Sequence, residues 1–180
     1  LTSGGGAIKL DGIVGGGSAT GLTGLSINET AETGTIEITD IGDANSLGVT
    51  GTVAIGNSAT TTLTLDGTNY YTDGGTTFEA ASGANILLTG ASPDISTKND
   101  ALAFNVADIV LSTAGTTTID TEHTASGAGT VTIAGKIDAT NGEAENLIIN
   151  AGTGNVAIGA VGTGTEMADV TITSSGSSTF

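Results

Sequence analysis

Cysteine, tryptophan and arginine are absent from this 180-residue chain, proline and histidine occur once each, and only three residues are basic. Without cysteine there is no disulfide framework, so order must come from backbone hydrogen bonding and stacking. Lys9, Lys98 and Lys136 stand against 19 acidic residues, a formal net charge of −16. No cationic footprint exists for nucleic-acid phosphates, and binding to an anionic membrane surface is disfavoured for the same reason. The acidity favours solubility and self-repulsion and attracts divalent cations. No run approaches the ~18 apolar residues of a membrane helix, so no membrane span is expected. No signal peptide is visible and the first residue is Leu1, which reads as a mature product, an excised segment or one unit of something longer. Five aromatic residues are too few for a thick core, which draws much of its buried area from rings.

What is present is 30 glycines, 34 threonines and a supply of Ala, Val, Ile and Leu. Glycine, serine and high net charge are also marks of disorder. A single proline (Pro93), a positive mean hydropathy and a patterned distribution of apolar residues oppose that reading. The pattern is a short aliphatic–any–aliphatic strand followed by a Gly, Asn, Asp or Ser corner. It recurs as Ile8-Lys9-Leu10, Ile36-Glu37-Ile38, Val53-Ala54-Ile55, Leu63-Thr64-Leu65, Ile109-Val110-Leu111, Val131-Thr132-Ile133, Leu147-Ile148-Ile149, Val156-Ala157-Ile158 and Val170-Thr171-Ile172. Residues i and i+2 of a strand share a face, so each triplet turns two aliphatics inward. No helical stripe competes.

The spacing defines a coil. Leu10, Ile38, Leu65, Leu88, Leu111, Ile133 and Ile158 form one series, with steps of 22 to 28 residues. A second class runs through Ile27, Ile55, Phe78 and Phe104 to Ile149 and Ile172. This period predicts an all-β parallel β-solenoid of about seven coils over residues 1–180, a rod of about 34 Å at ~4.8 Å per coil. Glycine, Asn and Asp supply the positive φ of the corners, and outward threonines are expected to bond between coils. Nothing resembles a polar cap at either end, so continuation into a longer array is expected, covalently or by end-to-end assembly with other copies.

Ile148-Ile149-Asn150-Ala151-Gly152-Thr153-Gly154-Asn155-Val156-Ala157-Ile158-Gly159-Ala160-Val161-Gly162 carries a resemblance. The stretch Gly129 to Gly176 resembles the tandem repeats of filamentous-haemagglutinin-type large exoproteins and autotransporter-like passenger domains. The likeness thins over Leu1 to Gly56 and again over Asn69 to Asp100. The resemblance implies a right-handed parallel β-helix, secretion to the bacterial cell surface, and a role in adhesion or fibres. The family's secretion-recognition domain is not visible.

Candidate chemistry is sparse, and no catalytic, cofactor-binding or metal residues are assigned. His123, the only histidine, lies in Asp120-Thr121-Glu122-His123-Thr124 and is expected to be a solvated corner residue rather than part of an acid–base pair. Gly152-x-Gly154-x-x-Ala157 matches the dinucleotide fingerprint in letters, but a strand follows it where a helix is required. Gly129 to Lys136 approaches a phosphate loop with one residue too many and Ile137 in the Ser/Thr position. Asp40-Ile41-Gly42-Asp43-Ala44-Asn45 offers oxygens to Ca²⁺ without the full ligand ladder, so Asx turns are the preferred reading. Asp94, Asp100, Asp108 and Asp120 are scattered along the chain, and stacking is able to gather some of them into an acid-lined groove. The sequon Asn28-Glu29-Thr30 is read as chance. Tyr70-Tyr71 departs from the repeat and is expected in a loop projecting from the rod, where a ligand or lateral contact would sit, with packing of one tyrosine as the alternative.

The function expected is an extracellular structural or adhesive filament module without catalysis, whose partners are its own copies end to end and laterally, and a host or matrix surface. Two rivals stand beside it. One is a carbohydrate-binding or carbohydrate-cleaving β-helix, against which the few aromatics count. The other is a pilin whose Thr165 to Phe180 strand completes a neighbouring subunit.

Overall fold

The computed structural model describes residues 1–15, 22–28, 30–43, 48–123, 127, 129–140, 142, 144–174 and 176–180. Among them there is no helix. Seventeen strands join in one continuous hydrogen-bonded sheet, and every ladder between strands is parallel. The chain is a β-solenoid.

Each coil has three faces. The first carries the start of β1 (Ile8–Val14) and of β3 (Gly34–Ile41), then β5 (Thr60–Leu65), β8 (Asn85–Leu88), β11 (Asp108–Leu111) and the end of β13 (Val131–Ala139). The second carries the ends of β1 and β3, then β6 (Asn69–Thr72), β9 (Asp94–Thr97), β12 (Gly115–Asp120), β14 (Glu145–Gly152) and β16 (Asp169–Ser174). The third carries β2 (Leu25–Ile27), β4 (Val53–Gly56), β7 (Thr76–Glu79), β10 (Leu102–Asn105), the start of β13, β15 (Val156–Val161) and β17 (Ser178–Thr179). Steps between paired residues run from 22 (Val156 to Ser178) to 30 (Ile119 to Ile149), slightly wider than the expected range. About six full turns separate the first row from the last, slightly fewer than the seven coils expected.

The face assignment corrects the periodic series. Leu111 is followed on its face by Ala139, not Ile133. Ile133 lies on the third face between Phe104 and Ile158. Ile149 and Ile172 belong with Ile119 on the second face, not with Phe104. There are three strand classes per coil rather than two. All three share one apolar pattern, so periodicity alone does not label them, and the lengthened corner between Asp120 and Val131 hides the change of face.

The core is a thin column. Ile36, Ile38, Leu63, Leu65, Ile86, Leu88 and Ile109 line it from the first face, and Ile55, Phe78, Phe104 and Ile133 from the third. Phe78 and Phe104 stack at 5.2 Å between ring centroids. Each fully buried Ile or Leu contributes about 1.5–3 kcal/mol by leaving water, so the stack is stabilised row by row.

Threonine does more than line the outside. Thr72, Thr97 and Thr121 are buried at the corner between the second and third faces. There the Thr121 hydroxyl donates to Gly129 O at 2.8 Å, that of Thr97 to Asp100 O, and that of Thr72 bonds Thr76 at 2.7 Å. Turn carbonyls that the ladders leave unmatched are thus satisfied from within. Outer hydroxyls, in turn, bond backbone rather than each other: Thr61 to Gly34 O, Ser112 to Leu88 O and Thr113 to Thr89 O, each one coil away. Thr121→Val keeps the shape and strands the Gly129 carbonyl. It is expected to cost about 1–3 kcal/mol, measured by denaturant unfolding, whereas Thr61→Val on the surface costs less than about 1 kcal/mol.

Candidate functional site

A grouping of polar side chains lies on the outer side of the second face, across three consecutive coils. Tyr71 (β6) lies flat against the face, and its hydroxyl donates to Asp94 Oδ2 at 3.0 Å. The Ser96 hydroxyl donates to Asp94 Oδ1. Asp120 stands in register with Ser96, and its Oδ1 accepts the Glu122 N–H at 2.7 Å. His123 closes the group, its ring stacked on Tyr71 with centroids 4.4 Å apart and planes 11° from parallel.

Two expectations are overturned here. Tyr70-Tyr71 is not a projecting loop but strand β6, and both side chains are buried. Tyr70 takes the inward slot that Ile41 and Ile95 hold in the neighbouring rows, so the packing alternative describes it. Its hydroxyl accepts the Gly67 N–H at 2.8 Å and donates to Ile38 O at 2.9 Å. His123 is not fully solvated either. It is half-buried because its N–H donates to Thr97 O and Thr121 pins the corner from inside, which brings the ring over Tyr71.

Stacking gathers two of the four scattered aspartates. Asp94 and Asp120 are neighbours on the second face. Asp108 lies on the first face beside Lys136, at 4.0 Å, and Asp100 caps the Thr97 corner through its carbonyl. Burial raises the pKa of Asp120, with the Asp94 charge adding to it and the Glu122 N–H opposing it. Burial, then Asp94, pushes the Tyr71 phenol up to about 12. Burial raises Tyr70 as well. A phenol so raised stays protonated at neutral pH, and Asp94 has an acceptor role at each oxygen. The cluster is therefore arranged as a hydrogen-bonded plate tying coils together.

The raised Asp120 has a defined pH sign. Folding favours its protonated form, so its contribution is fully present below the unfolded pKa of about 3.9 and is lost as pH rises through the folded value. Asp120→Asn is expected to raise the melting temperature near pH 7 and to leave it unchanged near pH 3, read as melting temperature against pH.

The three lysines are all paired, each reaching an adjacent coil. Lys9 bonds Glu37 at 2.5 Å and, within its own strand, Asp11 at 3.1 Å; Lys98 lies 3.9 Å from Asp73; and Lys136 lies 4.0 Å from Asp108 in the preceding coil and 2.7 Å from Asp138 in its own strand. Desolvation would raise Asp138, but Lys136 and the Gly164 N–H outweigh it and hold the carboxyl below its ordinary value.

The remaining candidates serve the backbone. Asp40 Oδ1 accepts the N–H groups of Thr68 and Asn69 at 2.9 and 2.8 Å, reaching into the next coil rather than closing the local Asx turn expected; Ala44 and Asn45 of that segment lie outside the described residues. Among the described residues no group of three or more His, Asp or Glu is placed to hold a metal ion. Asn28 is buried at φ 49° with its amide on Ser3, so a glycan has no room there; Glu29 lies outside the described residues. Gly152 and Gly154 precede strand β15, and Lys136-Ile137 lies inside β13. Residues of β16 and β17 pair with β14 and β15 of their own chain rather than standing free as a donor strand.

A cleft of about 360 Å³ opens at the edge of the third face, lined in part by Ala31, Ala54, Asn57, Thr77 and Glu79. Asn57 shapes it: its amide donates to the carbonyls of Thr30 and Glu32 at 2.9 and 3.1 Å and also to that of Asn28. Sequence reasoning did not find this staple, nor the Tyr71–His123 pair, because both join residues of different coils. An exact register was the signal that would have found them. No family model, curated protein or solved structure matches the chain.

Proposed function

We propose that the chain is a structural module of an extracellular filament or adhesin stalk, in which the solenoid itself is the working part. The observation that supports this reading is how the polar groups are used. Lysines, aspartates, the tyrosine pair, outer hydroxyls such as those of Thr61 and Thr113, and Asn57 link one coil to the next, as a rod that must hold its length requires. Each end row presents a strand edge onto which a further coil stacks, whether of the same chain or of another copy. The resemblance to large exoprotein repeats supports secretion to a cell surface and right-handed winding.

Electron microscopy of the protein across a concentration series, with and without EDTA, tests this. Thin uniform rods one solenoid wide, lengthening with concentration and repeating at about 4.8 Å along the axis, are expected, unchanged by EDTA. Compact particles at every concentration that retain a glycan on an array would instead favour the carbohydrate-binding alternative.

A further inference from the structure

The cleft at the edge of the third face is built by three consecutive coils. Its floor is the β4 row, where Ala54 and Gly56 offer almost no side chain; a Cβ on Gly56 would lie inside the Glu79 carbonyl oxygen. One wall is the following row, in which Thr77 and Glu79 pair with Ala54 and Gly56 and stand outward. The other wall comes from the preceding coil, where residues 30–32 bring Ala31 to the opening. Asn57 fixes that wall. Its amide donates to the carbonyls of Asn28, Thr30 and Glu32, and its Oδ1 accepts the Ala59 N–H at 2.6 Å. The cleft is thus formed before any ligand arrives, which removes an ordering cost from binding.

Its charge is of one sign. Glu79 is the only ionisable side chain of the lining, and it is half-buried. All three lysines are taken by other carboxylates, and none reaches it. The Asn105 amide of the next coil donates to Glu79 Oε2 at 3.4 Å, a long bond that orients the carboxylate and leaves its charge uncompensated. Thr77 and Ser58 add hydroxyl oxygens, while Ala31 and Ala54 add methyl groups. The volume of about 360 Å³ is roughly ten times the ~30 Å³ of a water molecule and lies within the ~300–1,000 Å³ of small-molecule sites. On a chain of net charge −16, a concave wall with a bare carboxylate draws cations. The shape that fits is a cation with a charged donor head and a slim apolar stem, larger than a bare ion.

We propose that this cleft captures a lysine side chain of another protein, with Glu79 as the counter-ion of its ammonium group. The ammonium carries three donors, which Glu79 and the Thr77 and Ser58 hydroxyls are placed to share, and its four-carbon stem packs on Ala31 and Ala54. An amino sugar brings the same head, but no aromatic ring lines the cleft for a sugar face to stack on. The proposal goes beyond the filament reading and does not need it, because a single segment holds the whole cleft. One carboxylate open to water gives a weak site, with a Kd on the order of millimolar. Salt weakens it further, since the Debye length falls from about 10 Å at ~0.1 M to about 3 Å at ~1 M.

Chemical-shift titration of the isotope-labelled chain with Nα-acetyl-lysine methylamide tests the proposal. Nα-acetyl-norleucine methylamide, the same stem without the charge, and glucosamine are the comparison probes. Saturable shifts at the Ala54, Gly56, Thr77 and Glu79 amides are expected with the lysine probe, and binding about tenfold weaker or less with the other two. Glu79→Gln should lower affinity by about tenfold or more while melting as the wild type does. Ala54→Leu, which fills the floor and leaves the charge in place, should abolish the shifts. Asp169→Asn, an exposed carboxylate of β16, should change nothing. Equal binding of the norleucine probe, or unchanged affinity in Glu79→Gln or Ala54→Leu, overturns the proposal. So does an equal loss in Asp169→Asn, which would mean net charge alone, or tighter binding of glucosamine, which would mean a sugar site. None of these outcomes bears on rod formation, so the filament reading is tested separately.

Discussion

Gly67→Ala is expected to destabilise the protein by more than about 3 kcal/mol, enough to abolish cooperative melting of the coils around it. Gly67 sits at the corner between the first and second faces, with the Thr39 carbonyl of the preceding coil directly against it. A Cβ there would lie inside that oxygen. The obstacle is backbone on both sides, because Gly67 O in turn occupies the space where Gly90 lacks a side chain. Relief would require separating coils whose ladders fix their spacing at about 4.8 Å, and the Gly67 N–H would leave the Tyr70 hydroxyl as it moved. Gly75→Ala is the control. Its Cβ would meet nothing closer than Ala101 O at 3.8 Å, so a change within about 0.5 kcal/mol is expected. Paired thermal melts decide the matter, and equal melting temperatures for the two variants would refute the close-packed corner.

Tyr70→Phe is expected to cost about 1–3 kcal/mol although it removes a single oxygen. Between the second and third coils the second-face seam is made in two places, Ile41 with Tyr70 and, further along, Val49 with Thr72, where the Gly48 N–H donates to Tyr71 O, whereas β12 and β14 pair through six residues in a row. The Tyr70 hydroxyl adds to this by accepting the Gly67 N–H and donating to Ile38 O, which also takes the Asp66 N–H. Phenylalanine fills the same volume and leaves the Gly67 N–H buried without that partner, while Ile38 O keeps the Asp66 N–H. Hydrogen exchange should show Gly67 and its neighbours losing protection ahead of the rest. Uniform loss of protection along the rod would mean that the seam is not a local weak point.

The architecture was legible in the triplets. Their inward pairs, such as Ile36 and Ile38 or Val156 and Ile158, face the core as alternation requires. What was not legible is which face each triplet occupies. Ile133 and Ala139 compete for the place after Leu111, and only the bend of β13 across a corner, with a register shift between Ile133 and Lys136, decides in favour of Ala139. The polar groupings were hidden for the same reason. Tyr71 and His123 lie 52 positions apart and meet two coils away, and the cleft beside Glu79 exists only once β4 and β7 are in register. Tyr70 misled because an aromatic among Asp-Gly turns reads as a loop; its hydroxyl has a buried task that no local pattern reveals.

The direction of the ladder hydrogen bonds has a mechanical consequence. They run along the axis, between one coil and the next, so a pull on the two ends loads rows in series rather than shearing a sheet as a whole. Rows then detach one at a time. Each coil set free releases some 25 residues, or about 80 Å of contour at ~3.3 Å per residue. Under load the rod therefore lengthens in discrete increments and dissipates work at each one.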